Sequence, residues 1–332
     1  MKIVYVVHEF PPDYVGGTGV AAFQVAKEML LRGNRVWVIS PRKWEQGLHS
    51  ISFFDEEVDG LSVRRLVFNG DLSPNPILYE YYNPVMYDPV KQYLKKLSPD
   101  IVHIYSLYNL TTSVIDAVKE LGVPMALTLT DFWFICPRAQ LLRLDGKLCE
   151  EAISWQDCVY CLKEKGNLYD RITEVFDIEK MHIRDWNVMP MNINNSKILP
   201  TLSAAGRRAL FLKRPLRKIY RILRHSPFLS KVLLRRNYFR LLAGAAGRQS
   251  FLKNQLAKID CTICISSFLS EVFLKKNYFH NGFAIISFGT SRSERLPARG
   301  HGISNITFGY FGGGWKHKGA DILLQAFRQL KI

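Results

Sequence analysis

The sequence predicts an α/β fold built on a doubly wound parallel sheet. Three observations predict it: near-continuous apolar runs rich in β-branched residues, apolar residues at helical spacing between those runs, and Gly, Pro or Asn at their ends. Strands that alternate with helices in this way form right-handed βαβ units. Hydrophobic residues make up 48% of the 332-residue chain and charged residues 22%, which excludes wholesale disorder.

The first elements form a strand–helix–strand unit. Lys2–His8 is almost wholly apolar, as expected for a strand that is buried on both faces. After a loop rich in Pro and Gly, apolar residues recur at helical spacing through Val20–Leu31, and Gly33–Asn34 ends that helix. Arg35–Ser40 is the second predicted strand.

The next elements continue the alternation. Ile51–Phe53 and Leu61–Phe68 are predicted strands joined by a turn at Asp59–Gly60. Further along the chain are strand Ile101–Tyr105, helix Thr111–Leu121 and strand Met125–Thr130. Strand character then returns at Ile259–Ile265, followed by a helix that Ser266–Ser267 would cap and by strand Phe283–Ser287.

The end of the chain predicts a second domain that has only begun. A polar linker at 289–304 leads into a strand at Ile306–Phe311, the Gly312–Gly314 loop and a helix at Ala320–Leu330. One βα unit cannot bury its own apolar faces. We therefore predict an N-terminal domain at 1–288, and at 305–332 the start of a C-terminal domain that the chain leaves incomplete.

A strongly basic helical insertion is predicted at 186–259. This segment holds sixteen Lys or Arg and no Asp or Glu, so it contains the entire net charge of +16. A solvated helical face is the default interpretation of scattered charge. Nucleic acid would also attract it, but no recognised nucleic-acid motif accompanies it. We favour an anionic membrane surface as the partner, because basic helices with an apolar face suit one, and expect no nucleic acid.

The compartment predicted from the sequence is the cytosol, with the protein peripheral on the inner face of the plasma membrane. No apolar run approaches the roughly 18 residues that a membrane-spanning helix needs. The start, Met1–Phe10, lacks the apolar segment and cleavage site of a signal peptide. The six cysteines are spaced unlike the disulfide framework of a secreted protein.

A cysteine-rich loop at 136–161 is the candidate metal site. It holds Cys136-x12-Cys149-x8-Cys158-x2-Cys161, and the closing Cys-x2-Cys has the chelating spacing of structural zinc sites. We favour zinc, ahead of an iron–sulfur cluster; partly buried cysteines without a metal are the alternative. Cys261-x2-Cys264 lies on a predicted strand, where the two side chains point to opposite faces, which favours core packing.

The candidate anion-binding loop is Gly16–Gly17–Thr18–Gly19, which opens the first helix. Backbone N–H groups at a helix N-terminus bind phosphates when no side chain obstructs them. The loop also fits the dinucleotide fingerprint, but the connection from the strand is long and the second strand ends without an acidic residue for a ribose. These departures disfavour an NAD-dependent oxidoreductase. A loop that needs glycine only for its backbone angles is the alternative.

Several segments resemble the group 1 (family 4) retaining glycosyltransferases. They are His8–Pro12, Gly16–Gly17, Arg32–Val36, Pro99–His103, Thr130–Trp133, Cys136–Pro137, Ile265–Leu269 and Lys318–Asp321. The resemblance implies a GT-B architecture, in which two Rossmann-like domains face each other across a cleft. It places the acceptor on the N-terminal domain and the nucleotide-sugar donor on the C-terminal domain. It also implies that the chemistry requires no metal.

The same resemblance implies a set of site residues. Gly16 and Gly17, with Thr18 and Gly19, would lie against the acceptor and the donor phosphate. Asp131 and Trp133 would face the transferred sugar, and Lys318 would meet the donor diphosphate. His103 and Asp131 are the candidate catalytic residues, although the family's usual His before the aspartate is Thr130 here. The family's second strand histidine is Tyr105, and the arginine expected before Lys318 is Gly313.

The resemblance implies a retaining transferase that moves a sugar from a nucleotide-sugar. Together with the membrane surface predicted from the basic segment, it favours an envelope polysaccharide or lipid-linked acceptor. The family's acidic pair that grips the donor would lie beyond Ile332, so we expect the chain alone to transfer no sugar. A non-catalytic sugar- or partner-binding remnant of the same fold is the alternative.

Overall fold

The computed structural model describes most of the predicted N-terminal domain and a few segments C-terminal to it. The described residues are 1–13, 16–42, 51–68, 76–143, 146–149, 244–279, 282–289, 308–310 and 318–330, together with Trp155, Cys158 and Cys161. The basic segment up to residue 243, most of the linker at 289–304 and the Gly312–Gly314 loop therefore lie outside the described residues.

Eight strands form one sheet among the described residues. They are β1 Lys2–Val6, β2 Arg35–Pro41, β3 Ser52–Val58, β4 Leu61–Val67, β5 Ile101–Ile104, β6 Met125–Leu129, β7 Cys261–Cys264 and β8 Phe283–Ile285. Their order across the sheet is β3-β4-β2-β1-β5-β6-β7-β8. Every neighbouring pair is parallel except the β3–β4 hairpin at one edge, so the predicted parallel α/β sheet is confirmed.

Helices follow most of these strands, and one comes after the last of them. They are α1 Gly17–Leu31, α2 Pro76–Tyr79, α3 Tyr87–Leu97, α4 Ser113–Glu120, α5 at 244–256, α6 Ser267–Lys275 and α7 Ala320–Gln329. Ser266 caps α6 as predicted, because its side chain accepts a hydrogen bond from the Leu269 N–H at 3.2 Å.

Two apolar clusters show that the sheet is covered by more than one layer. The larger cluster joins β5 and β6 to α3, α4 and α5, with Leu94, Val114 and Leu252 fully buried. The smaller cluster packs alternate residues of β1 and β2 against Ala22 and Ala26 of α1. Because apolar residues on both faces of β1 enter a core, its continuous apolar run is explained.

Some elements differ from the prediction. The first helix begins at Gly17 rather than Val20, since its opening glycines carry no apolar signal. Helices α2 and α3 were not predicted at all. Residues 308–310 lie in no strand, so the described part of the strand predicted at 306–311 does not form one. Within the described residues, no helix is long and apolar enough to span a membrane.

The C-terminal end of the basic segment makes contacts within the domain. In α5 and the turn after it, Arg248 is buried at 5% exposure, and the ammonium of Lys253 lies 4.9 Å from the ring centre of Tyr278. Lys258 forms an ion pair with Asp116 at 2.6 Å. Arg248 and Lys253 therefore contribute to packing, and Lys258 is paired at the surface; the other cations of the predicted cationic surface lie outside the described residues.

Candidate functional site

The order of the strands places the candidate site at the carboxyl ends of β1 and β5. The chain runs outward from β1 through β2 to one edge, then returns to β5 on the other side of β1. Connections that leave in opposite directions open a crevice at that point, where ligands of open α/β sheets bind. His8 and Glu9 come after β1 there, and Tyr105 and Tyr108 come after β5. The rings of His8 and Tyr108 lie 6.1 Å apart, edge to face.

Gly16 leaves room for the Glu9 carboxylate, and its backbone angles do not call for glycine. Its φ of −88° and ψ of −178° are extended values that any residue adopts, so the alternative based on glycine angles does not hold here. A Cβ at this position would lie only 2.3 Å from Oε1 of Glu9. The Glu9 carboxylate lies 3.2 Å from Nε2 of His8. Gly16 therefore lets the start of α1 approach the Glu9–His8 pair.

The first turn of α1 has room for a ligand beside Gly17. Nothing lies within 4 Å of the place where a Cβ of Gly17 would stand. No side chain caps this helix, and its first turn holds no acidic residue. The backbone N–H groups and positive end of the dipole are therefore neither capped nor neutralised by the helix's own side chains. This is the geometry that an anion-binding loop needs.

Asp131 comes after β6, the strand beside β5, and is held by its own turn. Its Oδ1 accepts a hydrogen bond from the Trp133 N–H at 2.8 Å. Burial raises the pKa of the Asp131 carboxyl, while that hydrogen bond and the nearby His8 and Arg248 act in the opposite direction. Of these influences burial is the largest, and the role of Asp131 beside a transferred sugar stays a prediction.

Trp133 occupies a different environment from the one that the sequence implies. Its side chain is 3% exposed and belongs to the larger apolar cluster. The guanidinium of Arg248 lies 5.5 Å from its ring centre and donates a hydrogen bond to the Trp133 carbonyl at 2.6 Å. Trp133 therefore supports the turn that holds Asp131, and contact with a sugar remains a prediction.

His103 lies within the sheet rather than at its carboxyl edge. It is paired in register with Tyr5 of β1 and Ala126 of β6, and its Nε2 lies 2.8 Å from Oγ1 of Thr128. Its ring stacks obliquely on Tyr105 with centres 4.6 Å apart. Burial lowers the pKa of His103 to about 4. This placement favours a structural role for His103 within the sheet over a catalytic one.

His103 should make the fold sensitive to acid. A histidine whose pKa is lower in the folded than in the unfolded chain stabilises the fold above pH 6.5, and that stability is lost as the pH falls toward 4. The loss should approach about 3 kcal/mol at most, at 1.36 kcal/mol per unit. Urea unfolding of the wild type and of His103→Gln at pH 7.5 and 4.5 measures it. Equal losses in the two proteins would contradict this prediction.

Other predicted site residues are only partly placed. Lys318 is exposed immediately before α7, and its carbonyl accepts a hydrogen bond from the Tyr310 hydroxyl at 3.2 Å. All four loop cysteines are described, but no group of three or more His, Cys, Asp or Glu among the described residues is arranged to hold a metal ion. The roles of Lys318 and of the cysteines therefore stay predictions.

A groove elsewhere on the domain is separate from this site. It has a volume of about 700 Å³ and lies at the amino-terminal ends of β1 and β2, where it is lined by Lys2, Arg35, Trp37, Tyr93 and Lys96. The ligand-binding loops of a parallel sheet lie at the carboxyl ends of its strands, on the other side of the sheet from this groove. The groove is therefore not where this fold is expected to do chemistry.

Comparison with known proteins gives limited structural similarity. No known protein family and no curated protein sequence matches the chain. Among solved structures, a UDP-forming α,α-trehalose-phosphate synthase from Burkholderia xenovorans in complex with glucose-6-phosphate is 12% identical, with a TM-score of 0.28 over 40% of this chain and 34% of that chain. A structure of trehalose-6-phosphate from E. coli bound with UDP-2-fluoro glucose is 15% identical, with a TM-score of 0.28 over 42% and 35%.

These structural neighbours are trehalose-phosphate synthases, which are glycosyltransferases. A further one, 15% identical with a TM-score of 0.25, comes from work on enzymatic glycosyltransfer with retention; it covers 40% of this chain and 33% of that chain. In each case the chain spans only about a third of the neighbour's length.

The structure adds three residues that the sequence did not single out as site residues. His8 and Glu9 belong to a segment that resembles the glycosyltransferases, so the signal was present but was assigned to the segment as a whole. Arg248 had no such signal, because it lies 115 positions from Trp133 inside the basic segment. Only the return of α5 to the end of β6 brings it to the site.

Proposed function

We propose that this protein is a glycosyltransferase that moves a sugar from a nucleotide-sugar, with retention, to an envelope polysaccharide or lipid-linked acceptor. The observation that carries it is the His8–Glu9 pair beside the uncapped start of α1 at the switch point of the sheet, with the Asp131 carboxyl, whose pKa burial raises and His8 lowers, after the neighbouring strand β6. Carboxylates accept hydrogen bonds from sugar hydroxyls, and the uncapped helix start favours phosphate groups. The carboxyl ends of the strands thus offer carboxylates that can bind a sugar acceptor and N–H groups that can bind the phosphates of a nucleotide-sugar.

Each residue has a distinct part in this proposal. Glu9 and Asp131 bind and orient acceptor hydroxyls, and His8 pairs with Glu9. The N–H groups of Gly17, Thr18 and Gly19 bind the donor phosphate, and Lys318 offsets the charge that develops on the leaving diphosphate. The proposed chemistry uses no metal. His103 is left out of the reacting group because it lies within the sheet.

Radiolabelled transfer tests the proposal. The full chain is incubated with UDP-, GDP- and dTDP-sugars and with lipids extracted from the envelope as acceptor, and label is counted in the lipid and polymer fractions. Label transferred from one donor by the wild type, and lost in Asp131→Asn, supports the proposal and contradicts the expectation that this chain alone transfers no sugar. Binding of a nucleotide-sugar or sugar without any transfer supports the alternative, a non-catalytic binding remnant, which Thr130 and Gly313 favour.

The basic segment supplies a separate prediction about location. We propose that residues 186–243 bind anionic membrane, with about 1 kcal/mol contributed by each Lys or Arg near the surface. The full chain should sediment with vesicles that contain phosphatidylserine or phosphatidylglycerol, but not with pure phosphatidylcholine vesicles. Raising the salt from 0.1 to 0.5 M should release it, because screening shortens the range of these interactions. Equal binding to both kinds of vesicle would contradict an electrostatic surface.

A further inference from the structure

The groove at the amino-terminal ends of β1 and β2 has a polar floor that the strand register sets. Trp37 of β2 lies opposite Ser62 of β4, and Ser62 lies opposite Glu57 of β3. Opposite residues of neighbouring strands present their side chains on the same face of the sheet, and all three residues line the groove. The floor therefore carries an indole, a hydroxyl and a carboxylate in one row. The volume of about 700 Å³ is that of a pocket for a small molecule.

Two of the three carboxylates that line the groove are already neutralised by buried arginines. Arg64 binds the two oxygens of Asp55 at 2.7 and 2.6 Å, and its guanidinium lies 3.6 Å from the ring centre of Tyr93. Arg65 pairs with Glu56 at 2.6 Å. The hydrogen bonds from Arg64 hold the pKa of Asp55 below its ordinary value, so this carboxylate stays charged and paired. Each of the two carboxylates thus has its own cation.

Three other cations line the groove without an ion-pair partner among the described residues. They come from three elements: Lys2 from β1, Arg35 from β2 and Lys96 from α3. Lys2 and Arg35 lie opposite each other in the sheet, and the Lys2 ammonium donates a hydrogen bond to the Leu97 carbonyl at 3.4 Å. Glu57 is the one lining carboxylate left to balance them within the described part of the chain. The groove therefore keeps an excess of positive charge, which concentrates anionic ligands.

Arg35 and Trp37 together indicate the shape of the ligand. The guanidinium of Arg35 lies 5.3 Å from the ring centre of Trp37. A guanidinium binds a carboxylate or phosphate through two parallel N–H bonds, and an indole offers a large apolar area that the C–H face of a sugar ring can cover. Because the two groups are adjacent, a ligand that contacts both carries its anionic group on or beside its ring. Ser62 and Glu57 then lie where the hydroxyls of such a ring need partners.

We propose that this groove binds a sugar that carries a phosphate or a carboxylate, at a site distinct from the candidate transfer site. Arg35, Lys2 and Lys96 bind the anionic group. Trp37 packs against the ring, and Glu57 accepts hydrogen bonds from its hydroxyls. The site binds without chemistry, so no bond is formed or broken there. The inference does not rest on the proposed transferase activity, because the groove lies at the opposite ends of the strands from the residues assigned to transfer.

Isothermal titration calorimetry of the full chain tests the ligand class. The probes are glucose 1-phosphate, glucuronate, glucose and inorganic phosphate. We expect the charged sugars to bind at least about 10-fold more tightly than glucose or inorganic phosphate, each of which lacks one kind of contact. The tighter of the two charged sugars identifies the anionic group. No binding of either charged sugar would overturn the proposal. Equal affinity for inorganic phosphate and glucose 1-phosphate would show recognition of an anion alone and overturn the assigned class.

Variants locate the binding in the groove. Arg35 is exposed, so Arg35→Gln should keep the fold and weaken binding of the charged sugar about 10-fold. Arg42→Gln is the matched control at the other end of β2, where the side chain is 47% exposed, and should bind normally. Glu57→Ala should weaken binding of the charged sugar but not of inorganic phosphate.

One pattern of results would move the sugar to the other site. Binding that is lost in Asp131→Asn and unchanged in Arg35→Gln would place the sugar at the candidate transfer site and overturn the proposal. The reverse pattern supports the groove. Groove binding without any sugar transfer would contradict the proposed function alone, so the two proposals fail separately.

Discussion

Replacing Arg65 with methionine is expected to lower the free energy of unfolding by about 3–5 kcal/mol, the usual cost of breaking a buried ion pair. Arg65 lies on β4 at 1% exposure and pairs with Glu56 across the hairpin at 2.6 Å. Its Nε donates to Glu56, and its Nη2 donates to the carbonyls of Phe10 and Pro11 at 3.1 and 2.5 Å. Methionine fills a similar volume but leaves those carbonyls and the carboxylate without their donor.

The same substitution should also loosen the candidate site. Phe10 and Pro11 come directly after Glu9, so the bonds from Arg65 anchor the loop that carries the His8–Glu9 pair. Urea unfolding monitored by circular dichroism measures the loss of stability. Arg42→Met is the matched control, because the Arg42 side chain is 47% exposed and its ion pair with Asp13 spans 3.9 Å. A loss below about 1 kcal/mol for Arg65→Met, similar to that expected for the control, would contradict the structural role.

Replacing Asp131 with asparagine is expected to raise stability near pH 7 by about 1 kcal/mol while it lowers the proposed transfer about 100-fold. Asparagine can still accept the hydrogen bond from the Trp133 N–H but carries no charge to desolvate. Because burial raises the pKa of Asp131, its carboxyl favours the fold most when protonated, and that contribution is lost as the pH rises through the raised pKa. The advantage of Asp131→Asn should therefore be small at pH 3.5 and grow toward pH 7.5.

Asp100 provides the matched control, because it lies at the amino-terminal ends of the strands, opposite the candidate site. Asp100 also accepts a backbone hydrogen bond, from the Lys2 N–H at 2.7 Å, but it precedes β5 instead of coming after a strand. Asp100→Asn should leave the rate of sugar transfer unchanged, since no residue proposed for transfer lies at the amino-terminal ends of the strands. Unfolding free energies at the two pH values and transfer rates distinguish the variants. If Asp131→Asn is less stable than the wild type at pH 7.5 and retains full transfer, Asp131 serves the fold alone.

The predicted site residues differ in where they lie along the chain. Gly16 and Asp131 come after strands, and the structure places Gly16 beside Glu9 and Asp131 in the turn after β6. The assignment of His103 relied on a strand residue, and the structure keeps that residue in the sheet. Sequence order cannot show how far along a strand the cleft begins, because that depends on the register between strands.

Arg248 shows why contacts across the chain escape sequence reasoning. A basic residue among many in an acid-free segment is expected at the surface, and only packing of α5 against the end of β6 buries it. Helix α3 was missed for a different reason. Its buried residues Val90, Tyr93 and Leu94 lie on a helix of only 11 residues with Pro89 in its first turn, so the apolar pattern covers few positions.

The sequence by itself determined the alternation of strands and helices, the cap of α6 by Ser266 and the apolar character of both faces of β1, because these depend on local spacing and composition. The tertiary structure decided the strand order, which places β6 beside β5 and β5 beside β1. It therefore decided that His8, Glu9 and Asp131 all lie at the carboxyl ends of neighbouring strands. It also decided that Gly16 serves close approach to Glu9 and that Arg248 reaches Trp133. These outcomes depend on contacts between residues far apart in the chain, which only packing specifies.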